Sequence, residues 1–286
     1  MIKWILILLR KLRVLKQLKL TFTSKFNGQR FKIPIILGVG LDHLISNNEP
    51  WLNTIIQRIT RDIKGSFIDV GVNIGQTLLK VKSSNAEMDY IGFEPNPTCI
   101  HYLAELISKN DLQKVMVYPV GLNEITSVVK LNFFSQSQSD SSASIIPNFR
   151  ARESITQHIL VPVFNLLDLK TEFDPISIIK IDVEGAELEV ILSLLTKIKE
   201  DRPLILIEIL PCYESTNIFR ISRQNQIESI FKSNSYLLFR IIKEDNKFQF
   251  LEQIDQIGVH GDVDKSDYIL VPLEREPWIE ETFKVR

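Results

Sequence analysis

The stretch Ser66-Phe67-Ile68-Asp69-Val70-Gly71-Val72-Asn73-Ile74-Gly75 decides the fold. Ser66 to Val70 reads as a buried strand, and it closes in Asp-x-Gly-x-Asn-x-Gly. Glycine lacks Cβ, so it permits both a tight turn and the close approach of backbone N–H groups to a polar ligand. The same glycines serve ordinary turns, and the neighbouring segments therefore carry the decision. Tyr90-Ile91-Gly92-Phe93-Glu94 is a second apolar run ending in an acid, with Glu94 19 residues beyond Gly75. Dinucleotide folds place the acid that binds ribose hydroxyls about 20 residues past the glycine turn. Asn96 and Pro97 then supply an N-cap and an N1 proline, and Ile100, Leu103, Ala104 and Ile107 form the stripe of a core-facing helix. These features predict a βαβ unit with a nucleoside site at its first turn.

The turn departs from the nicotinamide fingerprint G-x-G-x-x-G, because Asn73 stands where a second glycine would admit a pyrophosphate. S-adenosylmethionine carries an amino-acid moiety, a sulfonium and an adenosine but no phosphate. A turn with Asp69, two glycines and a polar Asn suits it better than a dinucleotide.

Three blocks now resemble the FkbM family of class I, S-adenosylmethionine-dependent methyltransferases: "FIDVGVNIGQT" at 67 to 77, "IGFEPNP" at 91 to 97 and "IIKIDVEGAELEVI" at 178 to 191. Weaker echoes are "YPVGLNE" at 118 to 124, "RPLILIEI" at 202 to 209 and "DYILVP" at 267 to 272, so the likeness spans most of residues 64 to 272. Val72 departs from the small residue common at that position and narrows the expected pocket. The resemblance implies an α/β fold with a doubly wound, Rossmann-like, mostly parallel seven-stranded sheet. It also implies Asp69, Gly71, Asn73 and Gly75 at the amino-acid end of the donor and Glu94 on the ribose. Asn123, or its neighbour Glu124, would lie at the adenine end, although "GLNE" also reads as a plain turn.

Ile178 to Ile181 reads as a core strand and Ala186 onward as a helix, which puts Asp182 and Glu184 at the strand-to-helix turn beside the expected donor site. Many amino-group methyltransferases of this fold carry Asn/Asp-Pro-Pro-aromatic here, whereas this chain has Asp-Val-Glu-Gly. That favours an alcohol acceptor, whose proton a positioned carboxylate removes. Asp182 and Glu184 are the candidate bases. Asp182 ends an apolar strand, a costly place for an acid that nothing satisfies. Glu187 reads instead as a helix-start residue that complements the helix N-terminus. Asp182 with Glu208 also offers a weaker alternative, a divalent cation orienting acceptor hydroxyls. Four scattered histidines and two isolated cysteines form no metal-ligand pattern, so no metal site is expected from them.

With 286 residues, 44% of them hydrophobic and 24% charged, the chain has material for one substantial core with an appended segment. A net charge of -1 gives no general attraction for nucleic acid, which is not an expected partner. Cys99 and Cys212, without a partner pattern, point to a reducing, cytoplasmic setting. Residues 1–63 are expected as a basic, amphipathic, helical segment, since every charged side chain from Lys3 to Lys32 is basic. Its apolar start is too short to cross a bilayer and lacks the flanks of a cleaved signal. Residues 1–20 rest peripherally on the inner face of an anionic membrane, or pack on the domain; both readings stay open.

The domain proper is expected over 64–272, with 273–286 as a tail. Within it, 125–165 is an insertion whose serine-rich stretch, Ser135 to Ser144, reads as a solvated loop or as a lid over the acceptor. Serine hydroxyls with Arg150 and Arg152 would suit a hydroxyl-rich or acidic acceptor. The sequence thus predicts O-methylation of a sugar, glycan or related small molecule. An enzyme using NAD or a nucleotide sugar on the same fold, and a non-catalytic membrane-associated binding module, are the competing readings.

Overall fold

The computed structural model describes residues 19–45, 49–135, 137, 139–146, 149, 154–171 and 173–286. Residues 1–18, the greater part of the expected membrane-contacting segment, lie outside the described residues, as do Arg150 and Arg152.

The described chain opens with β1 (Leu20–Phe26) and β2 (Gln29–Ile35), then α1 (Asp42–Ile45) and α2 (Pro50–Asp62). The βαβ unit follows as β3 (Ser66–Val70), α3 (Gln76–Ser84), β4 (Tyr90–Phe93), α4 (Pro97–Lys109) and β5 (Val115–Tyr118). An insertion supplies β6 (Gly121–Leu122), β7 (Ser127–Phe133) and β8 (Gln157–Phe164). The second half is β9 (Ile176–Ile181), α5 (Glu187–Asp201), β10 (Leu204–Glu208), α6 (Ile218–Ser233), β11 (Tyr236–Glu244), β12 (Lys247–Gln253), β13 (Asp267–Pro272) and α7 (Glu276–Thr282).

The main sheet runs β12-β11-β13-β10-β9-β3-β4-β5. Strands β10, β9, β3, β4 and β5 are parallel, and β13, β11 and β12 continue antiparallel from β10. Parallel strands covered on both faces read as continuous apolar runs. Strand β9, Ile-Ser-Ile-Ile-Lys-Ile, is buried throughout and conforms except at Ser177 and Lys180. One face packs on α5 and α6 through Ile68, Val70, Ile179, Ile191 and Ile227. The other packs on α2, α3 and α4 through Phe67, Ile178, Ile55, Leu78 and Leu103. The sheet is therefore doubly wound. Its strand order reverses between β3 and β9, and in open α/β sheets ligands bind outside the carboxyl ends at such a switch point.

Three expectations need correction. The sheet has eight strands, not seven: β11 turns back at Asp245-Asn246, both with positive φ, into the hairpin partner β12. Residues 20–35 form an antiparallel hairpin instead of helix. Their apolar residues alternate with polar ones around Asn27-Gly28, a turn pair whose positive φ angles match strand twist. That hairpin covers α4 through Phe31, Ile33 and Ile35 against Tyr102 and Leu106. Finally, 273–286 is no loose tail, since Ile279 and Phe283 are buried and Val285 bridges Leu251 of β12. The pairing of Lys284 and Arg286 with Leu251 gives an otherwise open edge strand hydrogen-bond partners.

Candidate active site

A cavity of about 310 Å³ opens at the carboxyl ends of β3, β4, β9 and β10. Gly71, Asn73, Glu94, Asp182 and Glu184 all line it. Asp69, Gly75 and Asn123 do not, and each has another occupation.

Asp69 is fully buried behind the wall, where the Tyr90 hydroxyl donates to its Oδ2. Its Oδ1 has no hydrogen-bond partner and lies 3.8 Å from Lys180 Nζ. Burial pushes the carboxyl up to about 6 against the opposing pull of Lys180. Gly75 sits where a Cβ would press on Leu103 and Leu106, so it serves the contact between α3 and α4. The Asn123 side chain donates to the Ile125 carbonyl, and its neighbour Leu122 lines the cavity instead.

Gly71 is needed for a reason internal to the protein. It has φ 89°, and a Cβ there would overlap the carbonyl oxygen of Asp182. The ends of β3 and β9 approach so closely that only glycine fits. The N–H groups of the turn are also spent on the protein: Gly71 and Val72 donate to the Phe93 carbonyl, Gly75 to Val72, and Asn73 to Glu94.

Glu94 is held from both sides, Oε2 accepting from the Asn73 N–H at 2.7 Å and Oε1 from the Asn96 N–H at 2.8 Å. Burial raises its carboxyl to about 7 despite those two donors. Asn96 also caps α4 by accepting from the Thr98 N–H, so one turn fixes the helix start and the acid together.

Asp182 Oδ2 accepts from Lys180 Nζ at 2.9 Å, and Glu208 lines the same wall. Burial works against the Asp182 charge, yet Lys180 and Glu208 outweigh it and hold the group below the usual carboxylate range. For Glu208, burial and the charges of Asp182, Asp267 and Glu184 push the carboxyl far above that range. Burial disfavours the Lys180 ammonium, but Asp182, Asp69 and Glu49 keep it charged. Among the described residues, no group of three or more His, Cys, Asp or Glu is arranged to hold a metal.

Glu184 has φ 52°, a strained conformation for a non-glycine residue, and its carbonyl accepts from Ser144 Oγ at 2.6 Å. That bond joins the insertion to the turn after β9. Phe149 packs where a Cβ on Gly185 would stand, and the Arg220 guanidinium covers its ring at 4.1 Å. Asp140, Ser141, Ala143 and Ile145 bring this part of the insertion into the cavity wall. Glu187, at the start of α5, accepts from the Gly185 N–H, the local role its sequence position implies.

Local sequence reasoning passed over Leu122, Gln76 and Lys180, and the first two carry no signal beyond their neighbours. Lys180 had one, a charge inside an otherwise uncharged strand. The described wall holds six carboxyl groups, from Glu49, Glu94, Asp140, Asp182, Glu184 and Glu208, against the single ammonium of Lys180. Even with Glu208 neutral, the acids outnumber the one ammonium, and such a cavity favours cationic groups over phosphate. The N–H groups of Gly71, Val72, Asn73 and Gly75 are likewise already committed within the protein.

The sequence matches the family model described as the methyltransferase FkbM domain over residues 69–238, more than half of the chain. A methyltransferase of Sordaria araneosa, sdnD, is 27% identical over 153 residues, covering 44% of this chain and 58% of that protein. Methyltransferase 1 of Beauveria bassiana (strain ARSEF 2860) is 24% identical over 143 residues, covering 45% and 57%. These matches thus span little more than half the length of the curated relatives. Among solved structures, a methyltransferase FkbM from Methylobacillus flagellatus KT has 17% identity and a TM-score of 0.44, over 72% of this chain and 43% of that one. On the family match, which contains Asp69, Glu94 and Asp182 in one span, this chain belongs to the FkbM methyltransferase domain family.

Proposed function

We propose that the chain is an S-adenosylmethionine-dependent methyltransferase that methylates a hydroxyl oxygen of a sugar, glycan or related small molecule. The observation that carries this reading is the carboxylate-rich cavity at the switch point, with Glu94 buried on its β4 side and Asp182 on its β9 side. Sulfonium and ammonium groups of the donor are both cationic and match that wall. About 310 Å³ is within the range of small-molecule sites.

Bound S-adenosylmethionine would supply an activated methyl group, so the protein's share is alignment and proton handling. Glu94, fixed by Asn73 and Asn96, is set to accept from the ribose hydroxyls. Leu122 offers an apolar wall beside Glu94, a role in adenine contact that we assign to it in place of Asn123. Asp182 and Glu184 flank the acceptor side, and Ser141, Ala143 and Ile145 of the insertion add to its wall. Asp182 is the favoured base because Lys180 keeps it ionised.

Calorimetric titration with S-adenosylhomocysteine and with NAD tests the donor. Binding of the former alone is expected; binding of NAD with no response to S-adenosylhomocysteine would overturn the reading. Mass spectrometry of candidate sugars incubated with methyl-labelled donor then tests the acceptor atom.

A further inference from the structure

Beside the main cavity the carboxyl ends of β9 and β10, the amino end of the antiparallel β13 and the residue ahead of α2 gather four acids: Asp182, Glu208, Asp267 and Glu49. All four line a second small cavity of about 20 Å³, and Glu49, Asp182 and Glu208 line the main one as well. Three of them have their own lysine. Glu49 meets Lys80 at 2.8 Å, Asp182 meets Lys180 at 2.9 Å, and Asp267 meets Lys243 at 2.6 Å. Glu208 lies directly opposite Asp267 across the β10–β13 ladder and lines both cavities together with Asp182, yet it has no ion pair among the described residues. A carboxylate placed between two others without a cation is unfavourable, and neighbouring acids of this kind share a proton.

We propose that Glu208 is a positioning residue for the methyl transfer, a neutral carboxylic acid that donates its proton to a hydrogen bond with Asp182. With Lys180 on the other side, it fixes Asp182 as an ionised base facing the acceptor. The inference rests on the methyltransferase reading for its chemistry, though not for its geometry. As the acceptor oxygen bonds to the methyl carbon, the carbon–sulfur bond breaks with its electron pair left on sulfur. The acceptor O–H proton passes to Asp182. An oxygen bearing both a proton and an incoming methyl is strongly acidic, so a carboxylate of low pKa suffices to take it. The Asp182–Glu208 pair then holds two protons and releases one to solvent. The 20 Å³ cavity beside it, with Glu49 and Asp267 in its wall, has room for one water to carry that proton.

The charged groups facing Glu208 are Asp182 and Lys180 from β9, Glu184 from the following turn, Asp267 from β13, Lys243 from β11 and Glu49 ahead of α2. Two ligand-free measurements on the full chain test the arrangement. The infrared difference spectrum of wild type minus Glu208→Gln at pH 7 is expected to contain a protonated-carboxyl band. Carbon-13 carboxyl NMR is expected to show Asp182 titrating about one pH unit higher in Glu208→Ala, with Glu208→Gln restoring it through its amide donor. No protonated-carboxyl band at pH 7, or an Asp182 titration unmoved in Glu208→Ala, overturns the proposal. If Glu208→Ala does not fold, the band decides alone. S-adenosylhomocysteine titration of Glu208→Gln separates the two readings. Binding within about twofold of wild type is expected, because one neutral group replaces another. Absence of binding to the wild type would instead sink the methyltransferase reading and leave the carboxyl result standing.

Discussion

Asp69 and Lys180 are register partners on adjacent parallel strands, β3 and β9, with Lys180 Nζ 3.8 Å from Asp69 Oδ1. Each is the one charge in an otherwise uncharged strand, and Lys180 compensates the fully buried Asp69 from the cavity wall. Lys180→Met would leave Asp69 buried with only the Tyr90 hydroxyl and would unpair Asp182. Breaking a buried pair on one side costs about 3–5 kcal/mol. Burial already lifts Asp69 to about 6 from an ordinary 3.8, so its contribution to stability is complete below about pH 4 and is lost as pH rises through 6. The Lys180→Met deficit should therefore widen between pH 5 and 8 in thermal unfolding. Adding Asp69→Asn should recover part of it, and a strictly additive double variant would rule out the coupling.

Gly71→Ala tests the closeness of β3 and β9. The methyl group would overlap the Asp182 carbonyl oxygen at a backbone angle that L-residues avoid. Overpacking and the left-handed conformation together predict a loss of about 3 kcal/mol in urea unfolding. Gly75→Ala, which meets only the flexible ends of Leu103 and Leu106, should cost less.

Glu94 links donor affinity to pH. Its folded value of about 7 exceeds the ordinary 4.5, so its contribution to stability is complete below about pH 4.5 and fades as pH rises through 7. The ionised form is the better acceptor for ribose hydroxyls. Affinity for S-adenosylhomocysteine should rise across the same interval. Glu94→Gln presents an amide NH₂ to one of two N–H donors and should weaken binding by about 10- to 100-fold, from a charge-assisted bond worth about 1.5–3 kcal/mol. Calorimetry from pH 5.5 to 8.5 reads both effects.

The contact between the insertion and the β9–α5 turn predicts a split between acceptor and donor. Ser144→Ala removes the hydroxyl that bonds the Glu184 carbonyl, at a cost of about 1 kcal/mol. Gly185→Ala would displace the Phe149 ring. Both variants should raise acceptor KM severalfold and leave the Kd for S-adenosylhomocysteine within about twofold. Equal losses in both constants would mean that the insertion supports the whole cavity.

The βαβ unit and the strand-to-helix turn at Asp182 were legible in the sequence because their signals are local. Apolar runs, the Asn96-Pro97 cap and the glycine turn each act within a few residues of themselves. The hairpin at 20–35 is equally local, with alternation around Asn27-Gly28, but its run of basic side chains suits an amphipathic helix as well. The fate of the carboxylates was a different matter. Sequence placed Asp69, Glu94, Asp182 and Glu208 at strand ends, yet register and pleat determined which pair with lysine and which face the cavity. Asp69 turned inward to Lys180, and Glu208 was left between two ion-paired acids. Gly71 met the Asp182 backbone, more than a hundred residues away in the chain. Periodicity fixes an element and the face it buries, whereas the partner across that face is set by the packing of distant strands. The sequence alone therefore determined the doubly wound core and the acids at its switch point; tertiary structure decided which acid carries charge, because charge in a buried site depends on its neighbours.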